Sequence, residues 1–147
     1  MQFKDTTRRK LSFGEIAVRL NNLHLPQVDL VVGIAEGGVV PASMAAFKLG
    51  TDLHTVKINY RDEGNTPRYD QPKVFSNGNS LKNKKILIVD DVSVTGKTLE
   101  KAKELFEGNE ILTLTFKGKA DYVLFPEISE CVHWPWKLTK QSEASLQ

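Results

Sequence analysis

A single cysteine, Cys131, in 147 residues excludes an internal disulfide and a thiolate zinc site. Charge of one sign is equally scarce. Lys and Arg total 20 against 18 Asp and Glu, a formal net charge of +2, and the basic residues are scattered among acids instead of forming a stripe. That balance argues against a nucleic-acid face. No apolar run approaches the ~20 residues that cross a bilayer. The opening MQFKDTTRRK is polar, and no apolar segment behind it would act as a signal peptide. The histidines, His24, His54 and His133, are far apart and lack metal-ligand spacing. These absences lead to the expectation of a cytoplasmic protein that contacts neither membrane nor nucleic acid.

What is present suffices for one domain over 1–147, because 40% hydrophobic residues can fill one core. Ser12-Phe13-Gly14-Glu15 reads as a capping box, and the spacing of Ile16, Ala17, Leu20 and Leu23 predicts an amphipathic helix stopped by Pro26. Asp29 to Ala35 reads as a buried parallel strand, followed by Glu36-Gly37-Gly38 and an Ala-rich helix from Pro41 to Leu49, closed by Gly50. A second strand is predicted from His54 to Tyr60. Residues 61–81 form a long polar stretch with Gly64, Pro67, Pro72 and Gly78, of the kind that serves as a lid over a site. Lys84 to Asp91 is the clearest buried strand, followed by a helix from Thr98 to Glu107 and strands from Glu110 to Phe116 and from Ala120 to Leu124. Strands alternating with helices predict an α/β fold, doubly wound, with a mainly parallel sheet and flanking helices. Ligands in such sheets sit beyond the carboxyl ends of the strands, and both Gly-rich segments fall there. They should form one site.

The chemistry is concentrated in Ile86 to Leu99, ILIVDDVSVTGKTL. An apolar strand delivers Asp90 and Asp91 to its tip, and Ser93-Val94-Thr95-Gly96-Lys97-Thr98 then opens a helix. Successive amides at a helix start favour a phosphate. Gly96 permits close approach, Thr95 and Thr98 offer hydroxyls, and Lys97 offers a cation. The adjacent carboxylates suit ribose hydroxyls and Mg²⁺, a hard ion that takes oxygen ligands. A P-loop ends in the same Gly-Lys-Thr, but its earlier glycine would fall at Asp91, which rejects that reading. An N-cap beside a solvated acid is the plainer alternative for the pair.

ILIVDDVSVTGKTL closely resembles the motif with which type I phosphoribosyltransferases bind 5-phosphoribosyl-1-pyrophosphate (PRPP), and the order of segments is similar to that family over roughly residues 12–137. The resemblance implies that Asp90 and Asp91 bind the ribose hydroxyls, directly or through Mg²⁺, and that Ser93, Val94, Thr95, Gly96, Lys97 and Thr98 hold the 5-phosphate. It also implies that Ala35, Glu36, Gly37 and Gly38 meet the pyrophosphate, with Tyr60 and Arg61 at the base of a mobile lid. Homo-oligomers, dimers or tetramers, are common in the family.

Lys119-Ala120-Asp121-Tyr122-Val123 resembles a segment of the 6-oxopurine enzymes, which assigns Lys119 to the 6-oxo group and Tyr122 to the base pocket, within about 117–137. A solvated lysine is the alternative for Lys119. Cys131-Val132-His133-Trp134-Pro135-Trp136 is similar to the aromatic-Pro-Trp stretch of the xanthine-guanine enzymes, so the main chain at Val132 would meet the base. For Trp134 and Trp136, packing at the sheet edge competes with base stacking. Three positions depart from the pattern. Val94 replaces the Asp that accepts the purine proton, Glu36 stands where a basic residue is common, and Cys131 replaces an aromatic. Outside that resemblance Cys131 reads as a buried free thiol. The implied activity is Mg²⁺-dependent transfer of phosphoribosyl from PRPP to guanine, xanthine or hypoxanthine in purine salvage. The alternatives are another nitrogen acceptor, or a regulatory protein that senses PRPP.

Overall fold

The computed structural model describes residues 9–59, 73–74 and 81–137. In chain order the elements are β1 (Arg9–Lys10), α1 (Phe13–Asn22), β2 (Leu30–Ala35), α2 (Val39–Leu49), β3 (Asp52–Asn59), β4 (Lys73–Val74), β5 (Lys85–Ser93), α3 (Lys97–Leu105), β6 (Glu110–Gly118), β7 (Tyr122–Val123) and β8 (Val132–His133). Tyr60, Arg61 and nearly all of the expected lid lie outside the described residues, as does the end of the chain from 138 on. No helix among the described residues is long and apolar enough to cross a membrane.

The sheet runs β4-β3-β2-β5-β6-β7, and only the β3–β4 pairing is antiparallel. Side chains on successive strand residues point to opposite faces, and the core divides accordingly. Val31, Leu87, Val89, Leu114 and Phe116 face α1 and α2. Leu30, Val32, Ile34, Ile86 and Ile88 face α3 through Leu99 and Ala102, with Phe106 at the helix end. This is the doubly wound arrangement expected. Gly33 falls on the α2 face, where a β-carbon would stand 2.6 Å from that of Ala42. The glycine and the small residues Ala42, Ala45 and Ala46 let α2 lie close on the sheet.

The ends of the elements have local causes. Ser12 accepts from the Glu15 amide at 3.0 Å while the Glu15 carboxylate accepts from the Ser12 amide at 3.1 Å, so the expected capping box is formed. Gly50 ends α2 in the left-handed region, at φ 68°. Two strands are longer than expected, because β5 continues to Ser93 and β6 to Gly118, pairing along their full length. The expected strand from Ala120 to Leu124 shrinks to Tyr122–Val123. The Asp121 carboxylate accepts from both the amide and the hydroxyl of Thr113, which makes residues 119–121 a connection and not a strand.

β8 pairs with β1 apart from the main sheet. Cys131, expected to be buried, is exposed on this small ribbon, where its carbonyl accepts from the Arg9 amide at 2.9 Å. The ribbon brings Trp134 against Phe116, with ring centroids 5.9 Å apart, and stacks Trp136 on Trp134 at 5.2 Å. Trp134 is 2% exposed, so its role is core packing.

Candidate functional site

The chain crosses from β2 through α2 to β3 on one side, and from β5 through α3 to β6 on the other. The loops after β2 and β5 therefore separate at their carboxyl ends and leave a crevice between them, the place where open α/β sheets bind ligands. Both Gly-rich segments meet there. A β-carbon on Gly38 would stand 2.6 Å from the Val89 carbonyl oxygen and 3.0 Å from the Asp90 Cα, and one on Gly37 would stand 2.5 Å from Asp91 Oδ2. Neither position has room for a side chain while the acids stay where they are. The Ala35–Glu36 peptide that leads into this turn is cis.

Asp90 and Asp91 are both buried, at 8% exposure each. Asp90 Oδ1 accepts from the Asp91 amide at 2.8 Å, and Asp91 Oδ1 accepts from the Val92 amide at 2.7 Å. Burial and the neighbouring Asp91 carboxylate push the Asp90 carboxyl up to about 8. The Thr115 hydroxyl, fully buried on β6, donates to the Asp91 carbonyl at 3.0 Å and so ties the tip of β5 to the next strand.

Beyond Ser93 the chain turns at Gly96, whose φ of 86° lies in the left-handed region, and α3 begins without a side-chain cap. The Lys97 amide donates to the Thr95 hydroxyl oxygen at 3.3 Å. Such a turn leading into an uncapped helix start is a ready anion cradle. Val94 is 74% exposed beside it. Glu36 is also exposed and pairs with Lys57 on the neighbouring strand at 3.9 Å. This partner offsets the charge of an acid at the mouth of the turn after β2.

The three residues assigned to the base do not all converge. Tyr122 and Val132 pack against one core cluster, beside Trp134 and Phe116. Lys119 is exposed and lines a cleft with Thr95, Gly96, Lys103 and Asp121. Its backbone amide donates to the Ser93 carbonyl at 2.8 Å, which sets it at the foot of the loop. Among the described residues no three His, Cys, Asp or Glu side chains cluster as a metal site.

The profile of the phosphoribosyl transferase domain matches residues 2–115, taking in α1 through the first part of β6 and both Gly-rich segments of this crevice. The chain belongs to the phosphoribosyl transferase family. A purine phosphoribosyltransferase from Pyrococcus horikoshii superposes with a TM-score of 0.70 at 25% identity, covering 90% of this chain and 95% of that one. An adenine phosphoribosyltransferase of Chloroflexus aurantiacus is 30% identical over 134 residues, 79% of this chain and 75% of that enzyme. The Transcriptional regulator GfcR of Methanocella arvoryzae is 38% identical over 82 residues, 54% of this chain but 40% of the regulator. Against this and two further regulators the chain spans 40%, 52% and 65% of their lengths.

Within the crevice one contact was not legible in the motifs. Lys137 Nζ lies 3.2 Å from Asp91 Oδ2. The only trace of it in the sequence is a cation placed directly after Trp134-Pro135-Trp136.

Proposed function

We propose that this chain transfers the 5-phosphoribosyl group of PRPP to a 6-oxopurine base (guanine, xanthine or hypoxanthine) and releases pyrophosphate. One observation carries this reading: the buried Asp90–Asp91 pair faces the Gly37–Gly38 turn on one side and opens into the Ser93–Thr98 loop on the other. A pyrophosphoryl ribose phosphate needs groups for three parts, and the crevice offers them in order. Ala35 to Gly38 would meet the pyrophosphate, Asp90 and Asp91 the ribose hydroxyls, and Ser93 to Thr98 the 5-phosphate. Tyr60 and Arg61 belong to the same proposal as the base of a closing lid.

The residues fit Mg²⁺. Two adjacent buried carboxyls, with Asp90 raised to about 8 first by burial and then by the Asp91 charge, offer hard oxygen ligands that a divalent ion would hold ionised. Two protein ligands leave the remaining positions to water and to oxygens of PRPP, as is usual for this ion. Bound at Asp90 and Asp91, the ion would offset charge on the departing pyrophosphate. The protein's own part is positioning, with the loop amides fixing the phosphate and the acids fixing the ribose. Of the base-site residues, Lys119 at the foot of the loop would meet the base, whereas Tyr122 and Val132 are packed beside Trp134 and Phe116 and do not converge with it. Val94 cannot accept a proton, so the acceptor nitrogen must lose its proton to another group or to water. Assembly as a homo-oligomer and action in the cytoplasm belong to the same reading.

A second reading, a PRPP-sensing regulator, is supported by two observations. Regulators are among the relatives at 38% and 35% identity, and the exposed residue at the head of the loop is the apolar Val94. The test offers PRPP and Mg²⁺ with guanine, xanthine, hypoxanthine, adenine, uracil and orotate separately and measures pyrophosphate release, with Asp90→Ala/Asp91→Ala as the blank. Release with one 6-oxopurine supports the transferase. Release only with adenine, uracil or orotate moves the acceptor to another nitrogen base. PRPP binding with no release from any base supports the regulator.

A further inference from the structure

Lys137 reaches the site from an unexpected direction. Its amide donates to the Trp134 carbonyl at 3.1 Å, closing a turn on a residue that is buried and stacked. Trp136 adds an edge contact on Phe116 at 6.2 Å. Behind the turn, the Arg9 and Leu11 amides donate to the Cys131 and His133 carbonyls at 2.9 and 3.4 Å. The backbone of Lys137 is thus anchored by packing far from the crevice, and its side chain extends from that anchor to Asp91.

The place it occupies is specific. Asp91 Oδ1 is engaged by the Val92 amide, and Gly37 lies against Oδ2 on one side. Lys137 Nζ takes Oδ2 at 3.2 Å, and the Asp91 side chain is left only 11% exposed. That oxygen is one of those assigned above to the ribose or to Mg²⁺. An ammonium ion and a divalent cation cannot both hold it.

We propose that Lys137 is the resident counter-ion of the phosphoribosyl site: it neutralises Asp91 in the free protein, and Mg²⁺ with PRPP must displace it to bind. The idea rests on the PRPP reading above and names a residue that reading does not include. Displacement has a consequence for the aromatic turn. The Trp136 indole N–H is buried and finds no acceptor among the described residues. A buried donor left unpaired is costly, and displacement moves the charge of the adjacent Lys137 side chain without breaking the turn that anchors its backbone. Ligand in the crevice is thereby linked to the environment of Trp134 and Trp136.

Removing Lys137 also removes a cation that attracts an anionic ligand. The contact effect wins, because the ammonium sits 3.2 Å from an oxygen that Mg²⁺ needs, and the Mg²⁺ that replaces it brings more positive charge to the anionic ligand than the lysine did. Lys137 is 54% exposed, so the pair is worth what an exposed ion pair is worth. Its removal should tighten binding by about two- to five-fold.

Calorimetric titration of the full chain with Mg²⁺ and PRPP, comparing the native protein with Lys137→Gln and Lys137→Arg, tests this, with tryptophan fluorescence followed in parallel. Tighter binding for Lys137→Gln, native affinity for Lys137→Arg, and a fluorescence change on ligand addition in the native protein are expected. Unchanged or weaker binding by Lys137→Gln, with the native protein binding normally, overturns the counter-ion role and leaves the PRPP reading intact. A native protein that binds no PRPP overturns both.

Discussion

Gly37 and Asp91 belong to segments more than fifty residues apart, yet a β-carbon on the glycine would stand 2.5 Å from one carboxylate oxygen and 2.8 Å from the carboxyl carbon. The glycine is required by space and not by its backbone angles, since Gly37 does not adopt a positive φ. The turn after β2 therefore sets the position of the acid at the end of β5. Gly37→Ala should leave the fold intact and push the Asp91 carboxylate aside. PRPP affinity in the presence of Mg²⁺ should fall at least about tenfold, near the 1.4 kcal/mol that one charge-assisted contact is worth. Titration calorimetry with circular dichroism as the folding control decides it. Native affinity in Gly37→Ala would show that the turn does not position Asp91.

The Asp90 carboxyl is raised to about 8, first by burial and then by the Asp91 charge. The sign of the pH effect follows. Below about pH 4 the group is protonated in the folded and unfolded chains alike and costs nothing. As pH rises toward 8 the unfolded chain releases this proton while the folded one keeps it, so folded stability falls, and the whole loss is present above 8. Asp90→Asn keeps the acceptor for the Asp91 amide and removes the charge. Its Tm should match the native protein near pH 4 and exceed it at pH 8 by roughly 3 °C for each kcal/mol recovered. Thermal denaturation of both proteins at pH 4, 6 and 8 without Mg²⁺ checks this, and a gap that does not widen with pH would refute it.

How far the sequence disclosed this molecule depends on the range of each interaction. The Ser12–Glu15 box, the left-handed stop at Gly50 and the loop from Ser93 to Thr98 are written in a few consecutive residues, so their patterns carry over directly. The two faces of the sheet follow from alternation within β2 and β5. The Asp90–Asp91 pair and its Gly-rich partner segment were legible because each ends an apolar strand. Contacts that join distant segments were not. Nothing near Lys137 says that its ammonium reaches Asp91, because that contact depends on how the Trp134–Trp136 stack sits on Phe116. Cys131 is exposed because β8 forms a separate ribbon with β1, a pairing that two-residue strands do not announce. Lys119 was legible as part of a short segment, but its cleft is built by Gly118 and Asp121, whose roles are conformational.

Gly118 shows that dependence in a testable form. Its φ is 109°, and a β-carbon would collide with the Ser93 carbonyl oxygen and stand 2.7 Å from the carbonyl carbon. Ser93 is also its register partner on β5. The obstacle is backbone, which cannot swing away as a side chain does. Gly118→Ala should cost about 2–4 kcal/mol of stability through strain and a forced separation of β5 from β6. The urea midpoint should fall with little change in slope. A midpoint within experimental error of the native value would mean that the β5–β6 edge yields at no cost.

Val94 separates the two functional readings most directly. It is 74% exposed and apolar at the head of the Ser93–Thr98 loop, so Val94→Asp adds a proton acceptor there with little effect on packing. A positioned general base typically contributes ~10²–10⁴-fold to a rate. If the native protein transfers phosphoribosyl to a 6-oxopurine without such a base, Val94→Asp should raise kcat by about tenfold or more, short of the full range because the loop was not shaped around the new acid. The pH–rate profile should gain a limb at low pH as the new carboxylate protonates. Steady-state pyrophosphate release with guanine, xanthine and hypoxanthine gives both results at once. A variant that still binds PRPP but gains no turnover with any of them would mean that more than a proton acceptor is missing, and would favour a protein that reads PRPP without consuming it.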